Sequence, residues 1–121
     1  DTAVIATDAR IGEGTYVGKN AVINSDASVG KMCIVNTGAI VEHDCVVGDF
    51  SHVAVGAVVC GMSKVGAETL IGANATVIQC MDVGNQSKVG AGAIVLKQVP
   101  DNTTVSGVWK GSKQQRGDGS E

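Results

Sequence analysis

Broken into sixes, residues 35–61 read VNTGAI VEHDCV VGDFSH VAVGAV VCG, and every block opens on valine. Stepping by six in both directions extends the beat through Ile5, Ile11, Val17, Ile23, Val29, Val35, Val41, Val47, Val53, Val59, Val65, Ile71, Val77, Val83, Val89 and Val95. Ile and Val make up roughly a quarter of the chain, so a run of about sixteen arises by chance on the order of once in a billion trials. Two residues before each aliphatic stands a small side chain (Ala, Ser, Thr or Cys), with Met81 the one large exception. The residue after it is usually Gly, with Asn24 and Asn36 among the exceptions, as a corner needing positive φ would favour.

A period of six fits neither a helix nor a strand with a tight hairpin. It fits a short β-branched strand and a corner, repeated. Three such units close a triangular coil, with the aliphatics and the small residues turned inward. The fold expected is therefore all-β: a parallel β-helix of about five coils over residues 1–99, stacked at ~4.8 Å per coil. The pattern matches the hexapeptide-repeat signature of left-handed parallel β-helices, and that resemblance supplies the hand and the three sides. Pro100, the only proline, removes a ladder donor and is expected to end the beat. Residues 100–108 are then a terminal turn capping the last coil. Residues 109–121 form a polar, Gly/Ser-rich tail expected to be disordered.

Composition narrows the function. The 121 residues hold one each of Phe, Trp and Tyr and carry a net charge of −3, and the lysines form no run, so nucleic acid is not an expected partner. No apolar stretch approaches the ~18 residues of a membrane span and no secretory leader is visible, so the expected location is the cytoplasm. Cys33, Cys45, Cys60 and Cys80 show neither a CxxC nor zinc-ligand spacing, and Cys33 and Cys45 fall at small core positions, as reduced buried thiols would.

The protein's two histidines, His43 and His52, both lie in the quoted stretch. His43 sits at an outer corner between Glu42 and Asp44. An imidazole beside a carboxylate suits a general base near neutral pH, although an exposed histidine in a charged turn looks the same. His52 precedes inward Val53 and should point outward, as a plain surface histidine also would. Nine residues, half a coil, separate the two, so they cannot meet within one subunit. Asn36 lies sixteen residues before His52 and should neighbour it on the next rung, while Gly61, eighteen after His43, should stand directly above it. If these are halves of one site, it forms between subunits, as in a threefold trimer of parallel prisms.

The run NTGAIVEHDCVVGDFSHVAVGAVVCG, followed by KVGAETLIGANATVIQ and VGAGAIVLKQVPDN, resembles the NeuD/PglD-type hexapeptide-repeat sugar acetyltransferases over about residues 3–108. The resemblance implies a homotrimer that binds acetyl-CoA in the groove between prisms and needs no metal. It implies transfer of acetyl to an amino or hydroxyl group of an amino sugar or sugar nucleotide. By matching motif it makes His43 the general base and Asp44 the residue that raises its basicity. His52, Gly61, Ala73 and Ala91 match coenzyme-binding positions, and Asn36 a polar, substrate-binding position near the reacting groups. Two departures stand out. The family's Rossmann-like sugar-nucleotide domain is not among these residues, so the chain is expected to be either a fragment or a protein with another acceptor. The family ending GVPAK is here GVWKG, residues 107–111. Two rivals remain: a catalytically silent β-helix scaffold, and a γ-type carbonic anhydrase, whose zinc needs three histidines.

Overall fold

The computed structural model of the chain describes residues 2–111. Among them the regular elements are eighteen two-residue strands and no helix, so none is long and apolar enough to cross a membrane. The strands stack into three parallel sheets, the sides of a left-handed parallel β-helix of about six turns.

The first side holds β1 (Val4–Ile5), β4 (Val22–Ile23), β7 (Ile40–Val41), β10 (Val58–Val59), β13 (Thr76–Val77), β16 (Ile94–Val95) and β18 (Val108–Trp109). The second holds β2 (Arg10–Ile11), β5 (Ser28–Val29), β8 (Val46–Val47), β11 (Lys64–Val65) and β14 (Asp82–Val83). The third holds β3 (Tyr16–Val17), β6 (Ile34–Val35), β9 (His52–Val53), β12 (Leu70–Ile71), β15 (Lys88–Val89) and β17 (Thr104–Val105). Through Val95 each strand pairs with the one eighteen residues on, for example Val35 with Val53 and Val53 with Ile71.

The repeat residues form the core. Ile23, Val35, Val41, Val53, Val59, Ile71, Val77, Val89 and Val95 are fully buried, each contributing about 1.5–3 kcal/mol of apolar burial. The first coil departs from this, because no coil packs beneath it among the described residues: Ile5 is 43% exposed, and Ile11 and Val17 are half-buried. The small positions are buried too, and their hydroxyls are spent inside. In one column, with Cys33 between the first two, Thr15, Ser51, Thr69 and Ser87 donate to the carbonyls of Gly30 (2.6 Å), Gly66 (2.6 Å), Gly84 (2.7 Å) and Pro100 (2.6 Å). They also accept backbone N–H groups from the coil above, as Ser51 does from Thr69. A buried hydroxyl left unbonded would be costly, so this column is polar without penalty.

Two expectations need correction. From Ile11 to Val89, positive φ falls on the third residue after the aliphatic, not the first: Gly14, Asn20, Asp26, Met32, Gly38, Asp44, Phe50, Gly56 and onward to Gly92. The glycine directly after the aliphatic answers a different demand, the close approach of the next coil. A Cβ on Gly48 would lie 2.6 Å from the Ala67 nitrogen, and one on Gly12 2.5 Å from the Gly30 carbonyl carbon.

The pairing also continues past Pro100. Val99 bridges Val83, β17 joins β15 and β18 joins β16. The register there shortens from eighteen residues to sixteen (Val89 to Val105) and fourteen (Val95 to Trp109), so a strict step of six loses the last turn. Trp109, expected in a disordered tail, is a strand residue packed against the core, and its indole N–H donates to the Gln98 carbonyl at 2.9 Å. Residues 112–121 of that tail lie outside the described residues.

Candidate active site

The three corners of the prism differ in composition. The corner from second to third side carries glycine after the aliphatic in every coil: Gly12, Gly30, Gly48, Gly66 and Gly84. The corner from first to second side carries none: Ala6, Asn24, Glu42, Cys60, Ile78 and Leu96 occupy the same place. His43 stands on this glycine-free corner, in the turn between β7 and β8.

Its imidazole is held from two directions. Nδ1 lies 3.0 Å from Asp44 Oδ2, with both side chains about half exposed at 52% and 53%. Asp44 occupies one of the positive-φ positions (φ 59°), which Asp tolerates better than most residues. The carboxylate only accepts, so Nδ1 carries the proton and Nε2 presents a lone pair. Above the ring is Gly61, where a Cβ would lie 2.6 Å from Nε2 and 2.8 Å from Cε1. Gly61 is buried, and its N–H has no partner among the described residues. The corner therefore sets a proton acceptor beside an unused backbone donor.

Further features of this corner were not anticipated. Glu42 Oε1 accepts from Asn24 Nδ2 at 3.0 Å, fixing the carboxylate next to His43 in the chain. The turn N–H groups of His43, Gln79 and Lys97 join that of Gly61 in having no partner among the described residues. The absent glycine column marks this corner in the sequence, but which turn donors stay unpaired is not legible there.

The second group lies elsewhere on the prism. His52 points outward from β9 on the third side, and its Nε2 is 3.3 Å from Asn36 Nδ2. Asn36 Oδ1 accepts the Thr37 N–H at 2.7 Å. Ala73 and Ala91 stack at the corner from third to first side, tied by the Gly92 N–H donating to the Ala73 carbonyl at 2.8 Å. The fold thus brings together His43, Asp44 and Gly61, and separately Asn36 and His52. It does not join the two groups within one chain, and no cavity encloses either among the described residues.

The cysteines are free. Burial pushes the Cys45 thiol up, and burial followed by the Glu42 charge does the same to Cys60. Both stay protonated at neutral pH, poor nucleophiles beside an available imidazole. Among the described residues no three His, Cys, Asp or Glu side chains cluster as metal ligands.

The hexapeptide repeat of succinyl-transferase matches residues 9–43 and 63–97. The chain belongs to the hexapeptide-repeat family. Solved hexapeptide-repeat structures resemble it closely. The acetyltransferase domain of PglB from Neisseria gonorrhoeae, solved also in complex with acetyl coenzyme A, is 37% identical with a TM-score of 0.86. The match covers 87% of this chain and 51% of that one. A mutant of GDP-perosamine N-acetyltransferase from Caulobacter crescentus, in complex with CoA and GDP-perosamine, is 35% identical with a TM-score of 0.87, over 88% of this chain and 50% of that one. WeeI from Acinetobacter baumannii is 30% identical with a TM-score of 0.64, over 87% and 55%. The chain spans about half the length of these relatives, which include sugar acetyltransferases of the NeuD/PglD type. No curated protein sequence is matched.

Proposed function

We propose that the protein is an acetyl-CoA-dependent acetyltransferase whose acceptor is an amino or hydroxyl group of a sugar nucleotide, with His43 as general base. One observation carries this: the His43 imidazole, oriented through Nδ1 by Asp44, holds its free Nε2 against buried Gly61, whose N–H is unpaired. The relatives solved with acetyl coenzyme A, CoA and GDP-perosamine support the coenzyme and the acceptor class.

The site fits the coenzyme on its own chemistry. An orphaned buried N–H at Gly61, and unpaired turn N–H groups at Gln79 and Lys97 along the same corner, suit a ligand rich in carbonyl oxygens. Acetyl-CoA supplies an acetyl group activated as a thioester. Nε2 of His43 takes the proton from the acceptor amine or hydroxyl as that group becomes a nucleophile. Asp44 holds the ring and stabilises the imidazolium that results. The Gly61 N–H, with no bond to give up, favours an oxygen gaining negative charge.

His52, Ala73 and Ala91 contact the coenzyme and Asn36 faces the reacting groups, contributed by a neighbouring prism in a homotrimer. Two observations support that assembly. The His43 corner and the His52 side are separated on one chain, and the outward columns differ in polarity. The first side presents Val4, Val22, Ile40, Val58, Thr76, Ile94 and Val108, and the third a mixed column of Tyr16, Ile34, His52, Leu70, Lys88 and Thr104. The second side presents Arg10, Ser28, Val46, Lys64 and Asp82, a surface suited to water. The apolar outward column of the first side calls for cover.

The test is thiol release from acetyl-CoA against a panel of amino sugars and nucleotide-linked amino sugars, with His43→Ala as control. Turnover that falls by about 100-fold or more in the variant supports the general base; equal turnover removes it. No coenzyme binding by wild-type protein would leave a silent scaffold. Sedimentation as a monomer would remove the shared site.

A further inference from the structure

The amide of Asn36 is used at both ends, and its orientation is chemically determined. Oδ1 lies 2.7 Å from the Thr37 backbone nitrogen, which can only donate. Turning the amide over would set NH2 against N–H, so the oxygen belongs there and Nδ2 must face His52. At 3.3 Å from Nδ2, His52 Nε2 then receives a hydrogen and cannot carry one of its own. We infer that Asn36 is a positioning residue that locks His52 as the neutral Nδ1–H tautomer, so that His52 offers the coenzyme a hydrogen-bond donor rather than a base.

The inference rests on the proposed function only for what the donor meets, a carbonyl oxygen of the acetylated coenzyme. The tautomer itself follows from the local hydrogen bonds. The same tautomer then does opposite things at the two histidines. In His43 the Nδ1 proton is consumed by Asp44 and the Nε2 lone pair is exposed. In His52 the Nε2 lone pair is consumed by Asn36 and the Nδ1 proton is what remains. One imidazole is left to accept and the other to donate. The second hydrogen of Asn36 Nδ2 stays available to the reacting groups.

Nitrogen NMR of histidine-labelled protein at about pH 8, where an ordinary imidazole is neutral, reads the tautomer without any ligand. The expected result is Nδ1–H at both rings. An Nε2–H signal for His52 overturns the inference. Asn36→Asp keeps an acceptor for Thr37 but turns an oxygen toward Nε2, and is expected to convert His52, and not His43, to Nε2–H. An unchanged His52 in this variant also overturns it. Calorimetry then tests the consequence: Asn36→Asp is expected to weaken acetyl-CoA binding about tenfold, the worth of roughly one hydrogen bond. If wild-type protein binds no acetyl-CoA at all, the proposed function fails while the tautomer result stands. If the tautomer inverts and affinity does not move, the donor role of His52 fails alone.

Discussion

Two corners of the same prism, built from the same repeat, differ in how the backbone of their turns is tied. Where the second side meets the third, every coil has glycine after its aliphatic, and three turn donors are satisfied by a side chain from the coil above, while those of Glu13 and Asp49 have no partner among the described residues. The Lys31, Ala67 and Asn85 N–H groups are bonded to the side chains of Asp49 (2.9 Å), Asn85 (2.8 Å) and Asp101 (2.7 Å). Where the first side meets the second, there is no such glycine, and the turn N–H groups of His43, Gly61, Gln79 and Lys97 have no partner among the described residues. One corner is partly tied down by side chains of the next coil. The other is left open, and the candidate base sits on it.

The contrast is sharpest in paired glycine substitutions. Gly61→Ala drives a Cβ to 2.6 Å from a movable imidazole, so the ring swings away and the fold survives. Turnover is expected to fall about 100-fold with little change in melting temperature, since a misplacement near 1 Å costs that much. Gly48→Ala drives a Cβ to 2.6 Å from backbone nitrogen, which cannot step aside. That variant is expected to lose about 1–3 kcal/mol of stability in urea titration while its folded fraction turns over normally. If both variants fail in the same way, the two corners are not different in kind.

Asp44→Asn keeps a residue that accepts φ 59° but discards the charge beside His43 Nδ1. Turnover is expected to drop about five- to tenfold, reflecting the extra strength of a charge-assisted hydrogen bond. Unchanged turnover would make Asp44 a turn residue only.

A smaller effect concerns pH. The Cys45 thiol is raised by burial, so the folded protein holds its proton more tightly than the unfolded chain. That contribution to stability is complete below the unfolded thiol value of about 8.5 and is lost as pH rises through the higher folded value. Cys45→Ala should therefore flatten the alkaline decline in denaturation midpoint, and an unaltered decline would assign it to other groups.

The smallest effect expected is at Phe50 on the glycine-bearing corner, 56% exposed and held at φ 61°. Asn suits that conformation better, so Phe50→Asn should stabilise by about 0.5–1 kcal/mol in thermal melts without touching turnover. A fall in turnover would extend the site across the molecule.

The stacking of coils was legible because burial on three sides demands an apolar side chain at a fixed beat, and sixteen positions from Ile5 to Val95 obey it. The last turn was not, because Val99, Val105 and Trp109 reach their partners by shorter paths around the corner, which a fixed period cannot represent. The role of glycine was half legible: its recurrence was plain, but tight coil contact and positive φ leave the same letter in a sequence. In the site, column arithmetic sufficed to put Gly61 over His43 and Asn36 beside His52. Which turn donors go unpaired depends on side chains a full coil away, such as Asp49 over Lys31, and needs coordinates.

The shift of eighteen residues from one coil to the next makes the prism a ruler. Each coil returns to the same corner one step of ~4.8 Å higher. His43, Gly61, Gln79 and Lys97 are successive graduations, so the edge from base to lysine measures about 14 Å in three steps. Such an edge changes length only by whole coils. Duplicating eighteen residues would lengthen it by one division and leave every side chain facing the same way, whereas adding six would carry the upper half of the edge round to another side.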